Sequence, residues 1–263
     1  GFAGFTNKID NADKIIKSMM DSIKHRGPDS EGLYLDDDIA MGFRRLSIID
    51  LSMGHQPLFN EDKSLVLTFN GEIYNYQELR EELINAGHTF ETHVDSEVLL
   101  HGYEQWGKNL LNKLRGMFAF VIWDKNKKEL FGARDFFGIK PMYYANMNGT
   151  FMYGSEIKSF LHHPDFKKEL NETALENYLT FQYSPCAETF FKGVFKLLPA
   201  HYFTYKDGKL TTERYWDINF NADEKPNLDE WVEKISETFK NSVEAHKIAD
   251  VEVGSFLSSG VDS

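Results

Sequence analysis

Cysteine is almost absent: Cys186 is the single one in 263 residues. That excludes an internal disulfide and a thiolate zinc cluster, and it fits a reducing compartment, hence an expected cytoplasmic location. Positive charge is also short, 29 Lys and Arg against 41 Asp and Glu, for a net charge of −12. Phosphate backbones and anionic headgroups attract the opposite sign, so no nucleic acid and no membrane is expected as a partner. Long apolar runs are missing too. The run over 117–123 falls far below the roughly 18–20 residues that a membrane helix needs. No basic-then-apolar secretory segment opens the chain, and no solenoid-type repeat is visible. The nine His show no HExxH or comparable spacing, so the expected number of metal sites is none. What remains is an ordinary globular composition, 41% apolar and 27% charged. The length suits one large domain or two small ones, burying roughly 70–75% of the unfolded surface.

Apolar residues Ile15, Ile16, Met19, Met20 and Ile23 recur at helical spacing and predict a helix over 12–26, stopped by Gly27-Pro28. Strand-like runs follow at 32–35, 39–49 and 65–69. Asn75 is placed to cap a helix carrying Leu79 and Leu83, with Gly87 to end it, and Asp95 to cap the next, to about Trp106. The middle is strand-rich: 117–123 with 129–134, 142–145 with 151–153 around Asn148-Gly149, and 201–205 with 209–215 around Asp207-Gly208. The last is a strong hairpin signal. Adjacent hairpins with segregated helices imply antiparallel sheets and an α+β fold. The polar stretch 219–227 reads as a linker. Beyond it, Trp231, Ile235, Phe239 and Val243 mark an amphipathic helix, and 251–257 is strand-like. The expected division is a domain over 1–216 and, over 217–263, a linker with the start of a second domain. The chain opens at Gly1 without Met and stops at Ser263 inside a motif, so it is expected to be a piece of a longer one.

Four constellations carry chemistry. In Phe69-Asn70-Gly71-Glu72, an Asn-Gly pair taken alone favours a type I′ hairpin turn. Its functional reading is an oxyanion hole, the Asn70 amide and the Gly71 N–H converging as donors. Arg44-Arg45 reads as an exposed basic pair on a strand, or as a fork gripping a carboxylate. Asp95 is either a helix cap or the partner of a substrate ammonium. The stretch 256–263 enters a Ser/Gly-rich loop suited to wrapping phosphates, although it is not the GxxxxGK[ST] loop. By contrast, His25-Arg26-Gly27-Pro28-Asp29 is accounted for as a helix stop, and Arg134-Asp135 with Gly138–Pro141 as a turn. Cys186 reads as a structural thiol.

Taken together, Gly1-Phe2-Ala3-Gly4, His25-Arg26-Gly27-Pro28-Asp29, Arg45-Leu46-Ser47-Ile48, Asn70-Gly71-Glu72-Ile73-Tyr74-Asn75 and Asp95-Ser96-Glu97 stand in the order seen in class II glutamine amidotransferases. So do Gly116-Met117-Phe118-Ala119-Phe120 and Gly154-Ser155-Glu156. With the closing 258–263, the chain resembles the glutamine-hydrolysing asparagine synthetase family over essentially all its length. The resemblance implies an N-terminal-nucleophile hydrolase fold, a four-layer αββα sandwich with two antiparallel sheets. It also implies a Cys nucleophile whose own α-amino group serves as base. That Cys is expected immediately before Gly1, so the chain as written is expected to bind glutamine poorly and hydrolyse none.

By the same resemblance, Asn70 and Gly71 hold the oxyanion, Arg45 binds the glutamine carboxylate and Asp95 its ammonium. Leu46, Ser47, Ile48, Ile49 and Glu72 complete the pocket. Leu257, Ser258, Gly260, Asp262 and Ser263 match an SGGxDS pyrophosphate loop, with Ser259 in place of the usual second Gly. ATP and Mg2+ would serve that second domain in amidating aspartate, with no cofactor for the glutaminase, and a homodimer is among the assemblies allowed. Rival readings are a glucosamine-6-phosphate synthase or phosphoribosylpyrophosphate amidotransferase, which lack the closing loop. An enzyme amidating another carboxylate and a non-catalytic glutamine-binding domain are the others.

Overall fold

Phe2-Ala3-Gly4-Phe5-Thr6 forms a strand, β1 (Phe2–Thr6), with all five residues buried. In the computed structural model, which describes residues 1–46, 54–220, 227–248, 252 and 254–260, β1 lies inside a six-stranded antiparallel sheet. Its partners are β2 (Ser30–Leu35), β3 (Ile39–Arg45), β8 (Tyr143–Met147), β9 (Thr150–Gly154) and β10 (Val194–Lys196), in the order β10-β8-β9-β1-β3-β2. A second antiparallel sheet holds β4 (Leu58–Phe59), β5 (Leu65–Ile73), β6 (Gly116–Asp124), β7 (Glu129–Arg134), β11 (His201–Lys206) and β12 (Lys209–Arg214), in the order β12-β11-β7-β6-β5-β4.

Three apolar clusters define four layers. Phe2, Met41, Phe43, Val121, Phe151, Tyr153 and Phe203 meet between the sheets. On the outer face of the first sheet lies α1 (Ala12–Ser22), which buries Ile16, Met19 and Met20. Each such side chain contributes roughly 1.5–3 kcal/mol. On the outer face of the second, α2 (Tyr76–Asn85) and α3 (Glu97–Trp106) bury Leu79, Leu83, Val98 and Leu99 against Phe120 and Phe131. This is the αββα sandwich the resemblance implies.

The hairpin signals hold. Asp207-Gly208 and Asn148-Gly149 have positive φ at both positions and close β11–β12 and β8–β9. Asn70-Gly71 does not turn. β5 runs straight through it, nine residues in register with β6, so the long pairing overrides the local turn preference. Gly is required there for another reason: a Cβ on Gly71 would sit 2.1 Å from the Met117 carbonyl oxygen. The predicted helix over 12–26 ends at Ser22 and tightens into a 3-10 turn, Lys24–Arg26. Asn75 stands at the α2 N-cap but spends its side chain elsewhere, donating to the Lys113 carbonyl and accepting from the Arg115 N–H. Two helices complete the described chain, α4 (Glu172–Phe181) and α5 (Leu228–His246). A full capping box, Asn227 with Glu230, starts α5, whose Ile235 and Phe239 stay exposed. Residues 254–258 form no strand, and the other predicted strand residues, Val251 and Val253, lie outside the described residues. No described helix is long and apolar enough to cross a membrane.

Candidate active site

One cleft of about 220 Å³ opens where β1, β3 and β5 approach one another. Its lining includes Gly1, Arg45, Leu46, Asn70, Gly71, Glu72 and Asp95. It is smaller than the roughly 300–1,000 Å³ of drug-sized sites, which suits a small metabolite. The fold thus brings together sequence-predicted residues from three separate segments, beside Gly1. Ser47, Ile48 and Ile49 lie outside the described residues.

Strand geometry sorts the two arginines, because successive side chains leave a strand on opposite faces. Arg44 turns outward beneath α1, where its guanidinium pairs with Asp21 and with Glu31 at 2.5 Å. It is therefore no part of a fork. Arg45 turns into the cleft against Gly54, close enough that a Cβ at that glycine would lie 2.3 Å from Nη2.

Asp95 is 7% exposed. It does not cap α3: the N-cap position is Ser96, without a side-chain cap bond, and Asp95 instead accepts the Ile73 N–H at 2.9 Å. The cap reading fails because the carboxylate reaches across to β5. Burial pushes its pKa up to about 7, opposed by the Ile73 hydrogen bond and reinforced by the charge of Glu72. Glu72 is itself raised by burial, with Lys140 pulling the other way. Burial lowers Lys140, and Glu72 works against that.

The Asn70 side chain is the most informative. Its Nδ2 is buried with no hydrogen-bond partner among the described residues. A buried amide donor left unmatched costs roughly 1–3 kcal/mol, so such groups are rare unless something else fills them. Gly1 lies beside it, buried in the cleft. Its nitrogen donates to the Arg44 carbonyl at 2.7 Å, and the Arg44 N–H returns the bond at 2.7 Å.

Several lining residues were not singled out as site residues from sequence. Arg26 belongs to a segment accounted for as a helix stop, yet it lines the cleft and pairs with Glu156 at 3.1 Å. Lys140 sits on a segment read as a turn. That turn is real, pinned by Arg134 donating to the Gly138 and Lys140 carbonyls at 2.6 and 2.7 Å, and it delivers Lys140 to the cleft. Gln56 accepts the Phe69 N–H at 2.7 Å and had no local signal at all.

The proposed phosphate loop is different. Leu257 is 84% exposed and Phe256 fully so, while Gly260 donates only to the Ser258 Oγ, at 3.2 Å. Asp262 and Ser263 lie outside the described residues. The described part of this loop is exposed.

Comparison with known proteins places the chain in a family. Residues 1–216 match the glutamine amidotransferase domain family, and 234–263 match the asparagine synthase family. The chain is 45% identical to asparagine synthetase [glutamine-hydrolyzing] 1 of Bacillus subtilis, over all of this chain and 42% of that protein. It is 41% identical to asparagine synthetase [glutamine-hydrolyzing] 2 of the same organism, over 95% of this chain and 35% of that protein. The chain therefore spans less than half the length of these relatives. Among solved structures, glutamine phosphoribosylpyrophosphate amidotransferase from B. subtilis superposes with a TM-score of 0.62 at 20% identity, covering 84% of this chain and 50% of that one. That likeness concerns the fold alone. The chain belongs to the glutamine amidotransferase domain family, followed by an asparagine synthase segment as in the glutamine-hydrolysing asparagine synthetases it matches.

Proposed function

We propose that the cleft binds glutamine and, with a Cys joined to Gly1, releases its side-chain nitrogen as ammonia. The observation that carries this reading is the unpartnered Asn70 Nδ2, buried in the same small cleft as Gly1, Arg45 and Asp95. Arg45 takes the α-carboxylate and Asp95 the α-ammonium, while Asn70 and the Gly71 N–H face the carboxamide oxygen. A thiolate one residue before Gly1 attacks the carboxamide carbon. As the S–C bond forms, the carbonyl electrons move onto the oxygen, where the Asn70 amide meets the developing charge. The C–N bond then breaks, the nitrogen takes up the thiol's proton by way of the α-amine and leaves as ammonia, and water hydrolyses the thioester to glutamate.

In the longer protein, this ammonia amidates the side-chain carboxylate of aspartate at the expense of ATP, in a second domain beginning after residue 216. Support comes from the order of the two family matches along the chain.

The test is to place Cys immediately before Gly1 and to follow ammonia release from glutamine together with stoichiometric labelling by a glutamine-like electrophile. Both are expected with the added Cys, and neither with an added Ser. A Cys-bearing chain that stays folded but neither reacts nor releases ammonia overturns the proposal.

A further inference from the structure

A second convergence of chemistry-bearing side chains lies on the far side of the second sheet, away from the cleft. Glu61 comes from the turn between β4 and β5, and His88 from the loop after α2. His101 and Glu104 stand one turn apart on α3. Glu61, His88 and His101 each bring a ligand atom to within 4.8 Å of the others. The His101 Nδ1 lies 3.0 Å from a Glu104 oxygen and 3.7 Å from a Glu61 oxygen. The His88 Nδ1 lies 3.6 Å from the same Glu104 oxygen.

Two bonds of about 2.1 Å at a tetrahedral zinc ion put neighbouring ligand atoms roughly 3.4 Å apart. The separations of 3.0, 3.6 and 3.7 Å lie close to that spacing, and the group of Glu61, His88 and His101, within 4.8 Å, would have to draw in around an ion.

The outer partners are also in place. His101 is 1% exposed, and its Nε2 is buried without a hydrogen-bond partner among the described residues, 3.6 Å from a Glu97 oxygen. That carboxylate is pinned by the Glu91 N–H at 2.7 Å, the Thr92 N–H at 2.8 Å and the Thr92 hydroxyl at 2.5 Å. His88 has Gln105 Oε1 at 3.1 Å from its outer nitrogen, and Glu104 accepts the Asn60 amide at 2.7 Å. For His88, an outer acceptor with the other ring nitrogen turned inward is the arrangement of metal-binding histidines, while the Glu97 carboxylate stands just beyond hydrogen-bond distance on the outer side of His101. The edge of Phe90 against His101, with centroids 4.5 Å apart, screens the group on another side.

We propose that His88, His101, Glu61 and Glu104 form a structural site for a zinc-class divalent cation. The donor set, two imidazoles and two carboxylates, is one that zinc accepts. Without an ion, burial lowers the affinity of His101 for a proton, but the carboxylates of Glu104, Glu97 and Glu61 overcome that and hold it up at about 9. An incoming cation would replace that proton, which passes to the buffer, as the metal–nitrogen bond forms. The ion would tie α3, whose first turn follows Asp95, to the turn that precedes β5, the strand of Asn70 and Gly71. The expectation of no metal rested on linear spacing, and this set, drawn from three segments, has none to show.

The test is cobalt(II) and zinc titration of the chain, freed of metal with chelator. Expected are one cobalt per chain with visible d–d absorption, displacement by zinc, and a higher thermal midpoint with zinc. H88Q and E61Q, both at partly exposed positions, should each weaken binding at least tenfold while keeping the metal-free circular dichroism. C186S removes the exposed thiol and should leave binding unchanged. No stoichiometric binding, binding undiminished in both H88Q and E61Q, or binding lost in C186S overturns the site. In those cases the cluster is a buried imidazolium among carboxylates.

Discussion

Replacing Asp95 by Asn separates the cost of the empty cleft from its use. Asp95 is 7% exposed, and burial pushes its pKa up to about 7. An ordinary Asp titrates near 4, so holding this charge at pH 8 costs roughly 4 kcal/mol, at about 1.36 kcal/mol per decade. The sign follows from which state binds more protons. Between about pH 4 and pH 7 the folded chain keeps the Asp95 proton and the unfolded chain has lost it. The penalty is therefore absent below about pH 4 and complete above about pH 7. Asn can still accept the Ile73 N–H, now at 2.9 Å from the carboxylate, and has no charge to desolvate. Its NH2 enters the cleft without an assigned acceptor and gives back roughly 1–3 kcal/mol. A net gain of about 2 kcal/mol at pH 8 corresponds to roughly 4–8 °C in Tm. The assay is thermal unfolding by circular dichroism from pH 4 to pH 9. D95N should be the more stable chain at pH 8, with the difference shrinking as pH falls and reversing towards pH 4. Glutamine affinity should move the opposite way, because losing one partner of a buried charge pair costs about 2–5 kcal/mol. In the Cys-bearing chain KM should rise at least thirtyfold. A D95N chain no more stable than its parent at pH 8, or a gap that ignores pH, refutes the buried-charge reasoning. An unchanged KM refutes the ammonium contact.

N70A in the Cys-bearing chain should lower kcat by roughly 10²–10³ with a smaller change in KM, the pattern of a donor used mainly in the transition state. The two arginines should part company in one pair of assays. R45A should raise KM for glutamine at least tenfold, as expected for a charge-assisted hydrogen bond worth about 1.5–3 kcal/mol. R44M should leave KM nearly unchanged but cost about 1–3 kcal/mol in urea unfolding, since its partners Asp21 and Glu31 are 54% and 41% exposed and can return to water. G71A should cost roughly 3 kcal/mol or more, read as a lower urea midpoint, because its Cβ would meet the Met117 carbonyl at 2.1 Å.

Legibility followed how local the cause of each feature is. The α1 stripe and the Asp207-Gly208 hairpin depend on neighbours a few residues away, and both were readable. β1 was not: all five residues are buried, so no alternation marks it, and its partners β3 and β9 come from distant sequence. α4 buries only Ala174, while its Tyr178, Leu179 and Phe181 stay exposed, so its apolar residues mark no face packed on the core. The turn reading of Asn70-Gly71 failed because nine residues of pairing with β6 outweigh a two-residue preference. Within the cleft, Arg45, Asn70 and Asp95 carry unusual chemistry and could be named on that ground. Lys140 and Gln56 come from loops whose delivery to the cleft depends on hydrogen bonds made elsewhere, by Arg134 and by the Phe69 N–H. No sequence window contains that information.

The same cleft collects groups that an empty fold would do better without. Asp95 and Glu72 are buried acids pushed upward, Lys140 is a base pushed downward, and the Asn70 amide nitrogen has no partner among the described residues. An apolar ligand would leave every one of these unrelieved, and a simple anion would leave Asp95 facing a second negative charge. On the proposed reading, a zwitterionic amino acid with a neutral terminal carboxamide relieves them together. Its ammonium compensates Asp95, its carboxylate meets Arg45, and its carbonyl oxygen accepts from Asn70. The cleft volume of about 220 Å³ holds such a ligand to a small size. Glutamate would fit the same space, but its side-chain carboxylate would bring another charge beside Glu72. On the proposed reading the buried carboxylates favour glutamine over the product of its own hydrolysis, and removing the Glu72 charge with E72Q should narrow the difference between glutamine affinity and glutamate inhibition. If glutamate inhibition does not tighten relative to glutamine KM in E72Q, the charge of Glu72 plays no part in that choice.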